Sequence, residues 1–352
     1  MTRTIDHQSS YAEINKKRAY TAMSRAVLVL CIFTAFSYAV DYLYSLAFTT
    51  YSKETQDFFV RLLEGLGIPR LSAIMTAKNL MLSPAFLEIL QMLVIGLCVI
   101  LPVTVFAKRQ GLSGDECFAT KGKFINGLVP TMGLCQMTIM FVLFAANHIG
   151  SGFVKPMFGA LPGMSLFAGG TYGDESIIEK IIIIIGTGIF TPFAEEYIFR
   201  GVFLSYLRRY GTSFGIVASA LIFGVAHTEP AQAVFAFGFG IMAGFLVVVT
   251  GNMKTAILCH ALNNIIYLVE GFTYGTDFYV VLLIFKMMLY IVGFAGLYYL
   301  LKKGGHMDVF SEKVRQRDGH LSSKPGMKQV FCLPMIAYII LNVVSYLTGV
   351  IK

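Results

Sequence analysis

Residues 181–200, with the sequence IIIIIGTGIFTPFAEEYIFR, decide the fold class of this chain. The stretch is apolar enough to belong to a membrane-spanning helix, yet it contains Glu195, Glu196 and Arg200. An ionisable side chain in hydrocarbon costs roughly 2.5–3.5 kcal/mol even on lenient insertion scales. Three such residues so close together indicate a polar site inside a membrane helix.

Further polar residues follow in the next apolar runs. His227 comes directly after the run 216–226, and His260 and Asn264 lie within the run 253–269. Polar residues inside membrane segments face a bundle interior or a cavity. The sequence therefore predicts that three helices contribute polar groups to one intramembrane site.

The composition also indicates a membrane protein. The 352 residues are 56% hydrophobic and 14% charged, with a mean hydropathy of +0.69, whereas soluble domains are roughly 45–50% apolar and 25% charged. The net charge of +8 lies mainly in short loops and tails beside apolar runs, so we assign it to membrane orientation and lipid contact and expect no nucleic-acid partner. The six cysteines are scattered and include no C-x-x-C pair, which argues against a disulfide framework or a thiolate metal site.

Hydropathy predicts an all-α fold, a polytopic transmembrane helical bundle of about eight to nine membrane helices. The candidate spans are residues 25–49, 85–107, 124–147, 178–206, 212–228, 231–250, 253–270, 278–301 and 330–350.

The same pattern predicts the domain organisation. Residues 1–24 would form a cytoplasmic N-terminal tail, 25–301 a membrane-embedded domain, 302–329 a basic cytoplasmic connector and 330–352 a C-terminal transmembrane helix. Basic residues between positions 3 and 25 place the N-terminus of this multi-pass cell-membrane protein in the cytoplasm.

Helical spacing separates the two glutamates. Glu196 and Arg200 lie four residues apart, so they share a helix face and can form an ion pair. Glu195 points about 100° away from Glu196, which leaves its carboxylate outside that pair. Phe223 with His227 has the same spacing, and so has His260 with Asn264, so each of two further helices presents its groups along one stripe.

Such a set of groups suits hydrolysis. A carboxylate in a low-dielectric pocket can take a proton from water as a general base. One histidine can orient that water, while a second histidine and an asparagine amide can donate hydrogen bonds to an oxyanion. No serine or cysteine is visibly paired with these groups, which favours water as the nucleophile.

The three patterns resemble the motifs of the CPBP intramembrane proteases, which include the type II CAAX prenyl-protein endopeptidases and bacteriocin-processing and immunity-associated members. The matching patterns are Glu195-Glu196-x-x-x-Arg200, Phe223-x-x-x-His227 and His260-x-x-x-Asn264, in this order within residues 178–270.

The resemblance implies a role for each residue. Glu195 activates water that His227 helps to hold, and His260 with Asn264 stabilises the tetrahedral oxyanion. The supporting residues are Glu196, Arg200 and Phe223. The substrate is expected to be a membrane protein or peptide, and the frequency of the family in bacteria favours a bacterial plasma membrane.

Several alternatives stay open at this point. Glu195, His227 and His260 could instead ligate Zn²⁺ as a three-ligand catalytic site, although no H-E-x-x-H helix is present and a metal-free reaction without a required cofactor is favoured. The fold could serve as a non-catalytic membrane scaffold or regulator in immunity or signalling. A transporter would use the carboxylates as a relay, but the inverted repeats typical of transporters are not visible. The oligomeric state is not indicated.

The predicted spans place the site residues at different depths in the membrane. At 1.5 Å per residue, Glu195 lies ~20 Å from the cytoplasmic end of its span, His227 ~22 Å and His260 ~10 Å. Pro192 lacks the N–H of a regular helix residue, so we expect the helix to open there and admit water. A structure that separated these side chains would contradict a single site.

Overall fold

The computed structural model describes residues 2–46, 52–70, 72–74, 83–118, 175–227, 230–282, 284–285, 288, 291 and 327–348. Throughout these residues the secondary structure is helical, with turns between the helices and no strand. The predicted all-α fold is confirmed.

We number ten of the helices in the described part of the chain, in chain order. They are α1 (Thr2–Ser45), α2 (Ser52–Gly65), α3 (Pro84–Arg109), α4 (Gly114–Phe118), α5 (Ile177–Tyr210), α6 (Thr212–Ala226), α7 (Pro230–Thr250), α8 (Met253–Thr273), α9 (Met327–Val330) and α10 (Leu333–Thr348).

Three of these helices, α3, α5 and α8, are long and apolar enough to cross a membrane. The helices α6 and α10, and residues Gln232–Val248 of α7, are apolar but shorter. The predicted span 124–147 and most of 278–301 lie outside the described residues, as does nearly all of the predicted connector 302–329. The total of eight to nine membrane helices therefore stays a prediction.

One face of α5 is built to contact lipid. Every fourth residue from Ile177 to Phe193 is exposed, in the order Ile177, Ile181, Ile185, Ile189 and Phe193. Side chains at this spacing lie on one helix face. Other residues of α5, including Gly186, Gly188 and Glu196, are buried against neighbouring helices. The helix thus separates a lipid-facing surface from an interior polar surface.

The helix α1 crosses the predicted boundary between tail and membrane domain at residue 24. It continues as one helix from Thr2 to Ser45, and Ala19 and Met23 already belong to the central hydrophobic core. The C-terminal helices pack on it: Thr34 hydrogen-bonds Tyr338, and the backbone N–H of Leu333 donates to the Tyr20 hydroxyl. The domain boundaries, including the one at residue 24, stay predictions.

The helices α6 and α7 pack closely because small residues line their interface. A side chain at Gly240 would meet the backbone of Ala220 at 2.9 Å, and one at Gly224 would meet the Ala233 carbonyl oxygen at 2.9 Å. Small residues let helix backbones approach in membranes, where dispersion contacts drive association. This packing fixes the end of α6, where His227 lies.

Candidate functional site

The helix α5 changes its hydrogen-bonding pattern at the site. The turns Ile184–Phe190 and Tyr197–Leu204 are π-helical, and the turn between them, Thr191–Glu196, is α-helical. Such π turns occur often at functional sites. The helix is continuous through Pro192, so the predicted opening there is not seen. The hydrogen-bonding pattern changes instead, since Pro192 has no N–H and lies at the start of the α-helical turn that follows the π turn.

The predicted ion pair between Glu196 and Arg200 is confirmed. Arg200 Nη1 lies 2.9 Å from Glu196 Oε1, and the two side chains are 1% and 0% exposed. The guanidinium carbon of Arg200 lies 4.3 Å from the centroid of the Phe223 ring and 5.5 Å from that of Phe239. An opposite charge and aromatic faces therefore offset the cost of burying this cation.

His260 lies between the two glutamates. Its Nδ1 is 2.9 Å from Glu196 Oε1, and its Nε2 is 3.6 Å from Glu195 Oε2. An ionised carboxylate only accepts hydrogen bonds, so His260 Nδ1 carries a hydrogen and donates a hydrogen bond to Glu196. The longer distance to Glu195 exceeds an ordinary hydrogen bond. Glu196 thus fixes the orientation of the His260 ring, while the Glu195 carboxylate stays available to other groups.

His227 is oriented by its own helix. It follows the last residue of α6 with an extended backbone, and its Nδ1 lies 2.9 Å from the carbonyl oxygen of Phe223. A carbonyl oxygen cannot donate, so Nδ1 carries the hydrogen of the neutral ring and Nε2 is left as the acceptor. The Phe223–His227 pair predicted from spacing is therefore a backbone hydrogen bond together with an edge-to-face ring contact, with ring centroids 4.9 Å apart.

Glu195 and His227 line one cavity of about 570 Å³. Its walls are mainly apolar and come from α1, α3, α5 and α6, with Val94, Ile198 and Phe203 among the lining residues. The side chain of Glu195 is 26% exposed, in contrast to the fully buried Glu196. The two adjacent glutamates thus have opposite surroundings, as their angular separation predicts.

Asn264 supplies a hydrogen bond that the backbone of α5 lacks. Its Nδ2 donates to the carbonyl oxygen of Thr187 at 3.0 Å. In the π turn the N–H of Thr191 bonds the Gly186 carbonyl, and the next residue, Pro192, has no N–H. The Thr187 carbonyl would otherwise lack a main-chain donor inside the membrane, where an unsatisfied group costs several kcal/mol. One amide hydrogen of Asn264 is engaged in this way, and the second remains on the same nitrogen.

The structure therefore brings the predicted residues together in two parts. One part is the sealed cluster, defined as Glu196, Arg200, Phe223 and His260; the other is the cavity wall formed by Glu195 and His227. The contact of His260 with Glu195 joins the two parts, and Asn264 lies one helical turn beyond His260. The helix ends are a poor reference for depth, because Glu195 and His260 meet although they lie at different distances from the ends of their helices.

The part of the chain that the structure describes contains no group of three or more His, Cys, Asp or Glu side chains arranged to hold a metal ion. Nδ1 of His260 contacts Glu196, and Nδ1 of His227 contacts the Phe223 carbonyl oxygen. Histidines that ligate a metal through Nε2 make the same contacts with Nδ1, so a Zn²⁺ site of Glu195, His227 and His260 stays an alternative prediction.

Three site residues were missed in the sequence: Glu88, Thr187 and Phe239. Glu88 of α3 is buried and accepts a hydrogen bond from the hydroxyl of Thr187, and Phe239 of α7 contacts both Arg200 and His260. Glu88 had a visible signal, since it is the only acidic residue in the apolar run 85–107. Phe239 had none, because an aromatic residue in an apolar helix looks like any other core residue.

Residues 177–266 match the family described as Rce1-like, type II CAAX prenyl endopeptidase. The match covers about a quarter of the chain and includes all seven predicted site residues. The match confirms, for this region of the chain, the resemblance drawn from the three motifs. No curated protein and no solved structure matches the chain.

Proposed function

We propose that this protein is an intramembrane endopeptidase that hydrolyses a peptide bond of a membrane-associated protein or peptide. The observation that carries the proposal is the contrast between the two glutamates: Glu195 opens into a cavity that His227 also lines, while Glu196 is sealed in an ion pair. A buried ion network built only for structure does not require a second, accessible carboxylate beside it.

The first step is proton transfer from water. A water molecule in the cavity donates one hydrogen bond to the Glu195 carboxylate and the other to His227 Nε2, the acceptor nitrogen of that ring. Glu195 takes a proton as the water oxygen attacks the carbonyl carbon of the substrate. The negative charge passes to the former carbonyl oxygen.

The oxyanion is then stabilised by donors held in place before the reaction. Protonated His260 offers Nε2–H, because its Nδ1–H is already directed to Glu196. Asn264 offers its second amide hydrogen. Donors of this kind contribute most when the surrounding site excludes water. The sealed cluster fixes the orientation of the His260 ring.

The last step returns the proton. Protonated Glu195 donates to the leaving nitrogen as the C–N bond breaks, which yields a carboxylic acid and an amine and restores the carboxylate. One water is consumed per bond, and no cofactor is required.

The cavity indicates the class of substrate. Its mainly apolar walls suit an apolar group next to the scissile bond, and the matched family is described as prenyl endopeptidases. We therefore propose a membrane-associated peptide that carries an apolar side chain or lipid at this place. The protein would act as a multi-pass protein of the cell membrane, with its N-terminus in the cytoplasm.

Cleavage of a quenched membrane-peptide library by purified protein in detergent tests the proposal. The library contains matched peptides with and without an isoprenoid group, and the protein is wild type, Glu195→Gln or Glu54→Gln, the last on the exposed surface of α2. We expect cleavage by wild type and Glu54→Gln, loss in Glu195→Gln, and no change with a chelator.

Other outcomes would overturn parts of the proposal. Loss with the chelator would indicate a Zn²⁺ enzyme with Glu195, His227 and His260 as ligands. Full cleavage by Glu195→Gln would remove the general base. A folded wild type that cleaves no peptide in the library would favour the scaffold or regulator.

A further inference from the structure

The helix α3 carries a buried carboxyl group that the proposed reaction does not use. Glu88 is 9% exposed and lies in the first third of the apolar helix Pro84–Arg109. Both of its carboxyl oxygens accept from the Thr187 hydroxyl, at 2.9 and 3.1 Å. An ionisable group in such a helix is costly and is by default a candidate for function.

The backbone of α5 is shaped to receive this carboxyl group. A side chain at Gly186 would overlap the Glu88 carboxyl group. The absence of a side chain there lets α3 bring Glu88 directly against the π turn Ile184–Phe190. Glycine serves where another group must approach a backbone closely.

Thr187 connects Glu88 to the site. Its hydroxyl donates to Glu88, and its carbonyl oxygen accepts from the amide of Asn264 at 3.0 Å. The two contacts lie on one residue, so a change in one shifts the other through a few covalent bonds. The Thr191 N–H bonds the Gly186 carbonyl and Pro192 has no N–H, so the Thr187 carbonyl accepts from Asn264 instead.

We propose that Glu88 is a positioning residue that acts through Thr187 to hold the side-chain amide of Asn264 in the orientation required for its role in the site. The role of that amide in stabilising an oxyanion rests on the proposed function. The structural link itself, Glu88 to Thr187 to Asn264, does not depend on it.

The link is tested first without any substrate. Protein labelled with ¹⁵N-asparagine gives a side-chain amide resonance of Asn264, which is identified by its loss in Asn264→Ala. We expect this resonance to be displaced by more than its linewidth in Glu88→Leu and in Thr187→Val. Glu88→Gln, which keeps an acceptor for the Thr187 hydroxyl, should leave it close to its wild-type position. The control is Leu93→Ala, on the lipid-facing side of α3 and outside the cavity wall.

Kinetics then test the functional consequence. We expect Glu88→Leu and Thr187→Val to lower kcat about 10-fold with little change in KM, a fraction of the roughly 100- to 1,000-fold loss on removing an oxyanion donor outright. In the Asn264→Ala background the same substitutions should have no further effect on kcat. Such non-additivity separates positioning from a general loss of packing.

The outcomes distinguish this proposal from the proposed function. An unmoved Asn264 resonance in folded Thr187→Val, or fully additive losses in the double variants, overturns the positioning role. A displaced resonance in a protein that cleaves nothing keeps the structural link and counts against the protease. If Glu88→Leu does not fold, Thr187→Val decides: a displaced Asn264 resonance supports the link, and an unmoved one overturns it.

Discussion

The adjacent residues Glu195 and Glu196 lie in two contrasting regions of the molecule. Glu196 belongs to the sealed cluster, where Arg200, His260 and aromatic rings leave it fully buried. Glu195 lies on the cavity wall, one quarter exposed, with its Oε2 3.6 Å from His260 Nε2. Two glutamate side chains that are adjacent in sequence therefore differ in role: Glu196 stabilises the helix packing, and Glu195 is open to the cavity.

Substituting Glu195 gives the sharpest test of this contrast. Glu195→Gln removes the proton acceptor but keeps the size of the side chain, so we expect kcat to fall about 100- to 10,000-fold. The thermal midpoint in detergent should change little, because Glu195 makes no close ion pair. A large drop in the midpoint would show that both glutamates are structural.

Breaking the ion pair should have the reverse effect. Arg200→Met leaves the buried Glu196 carboxylate without its cation, and removing one partner of a buried pair costs about 3–5 kcal/mol. Denaturant unfolding of the purified protein measures this loss.

Arg209→Met is the matched control for Arg200→Met. Arg209 Nη2 lies 3.2 Å from Glu116 Oε1, and each of the two side chains is 38% exposed. Exposed ion pairs contribute about 0–1 kcal/mol to stability. Equal losses for the two arginines would contradict the sealed character of the cluster around Glu196.

Filling the cavity should affect substrate binding and leave the sealed cluster intact. Val94→Phe places a ring into the cavity wall, so we expect kcat/KM to fall about 10-fold, mainly through KM, as for removal of binding common to the ground and transition states. Leu93→Phe, on the adjacent exposed position of the same helix, is the control. Equal activity of the two variants would place the substrate elsewhere.

The smallest expected effect concerns the end of α6. Asn342 of α10 donates to the Val225 carbonyl at 2.9 Å, two residues before His227. Asn342→Leu leaves that carbonyl without this donor, which costs about 1–3 kcal/mol when the group is buried. We expect a lower thermal midpoint and a modest loss of kcat, whereas unchanged values would show that the α6 end is held without α10.

The sequence predicted a large part of the site because helical spacing is a local property. Residues four apart share a face, so the Glu196–Arg200 pair and the Phe223–His227 contact followed from position alone. The role assigned to each residue was not fixed in that way and stays a prediction. Thr187 escaped notice because its importance comes from a π turn and from Pro192, which a count at 3.6 residues per turn does not reveal.

The sequence by itself determined that this is an all-α membrane protein with ionisable groups inside its helices, because hydropathy and residue spacing act along the chain. Only the tertiary structure decided how these groups meet. Contacts between Glu88 and Thr187, Thr187 and Asn264, or Asn342 and Val225 join residues that are far apart in sequence. Their pairing depends on where the helices lie and which carbonyls lack a backbone donor. That information appears only when the helices are packed.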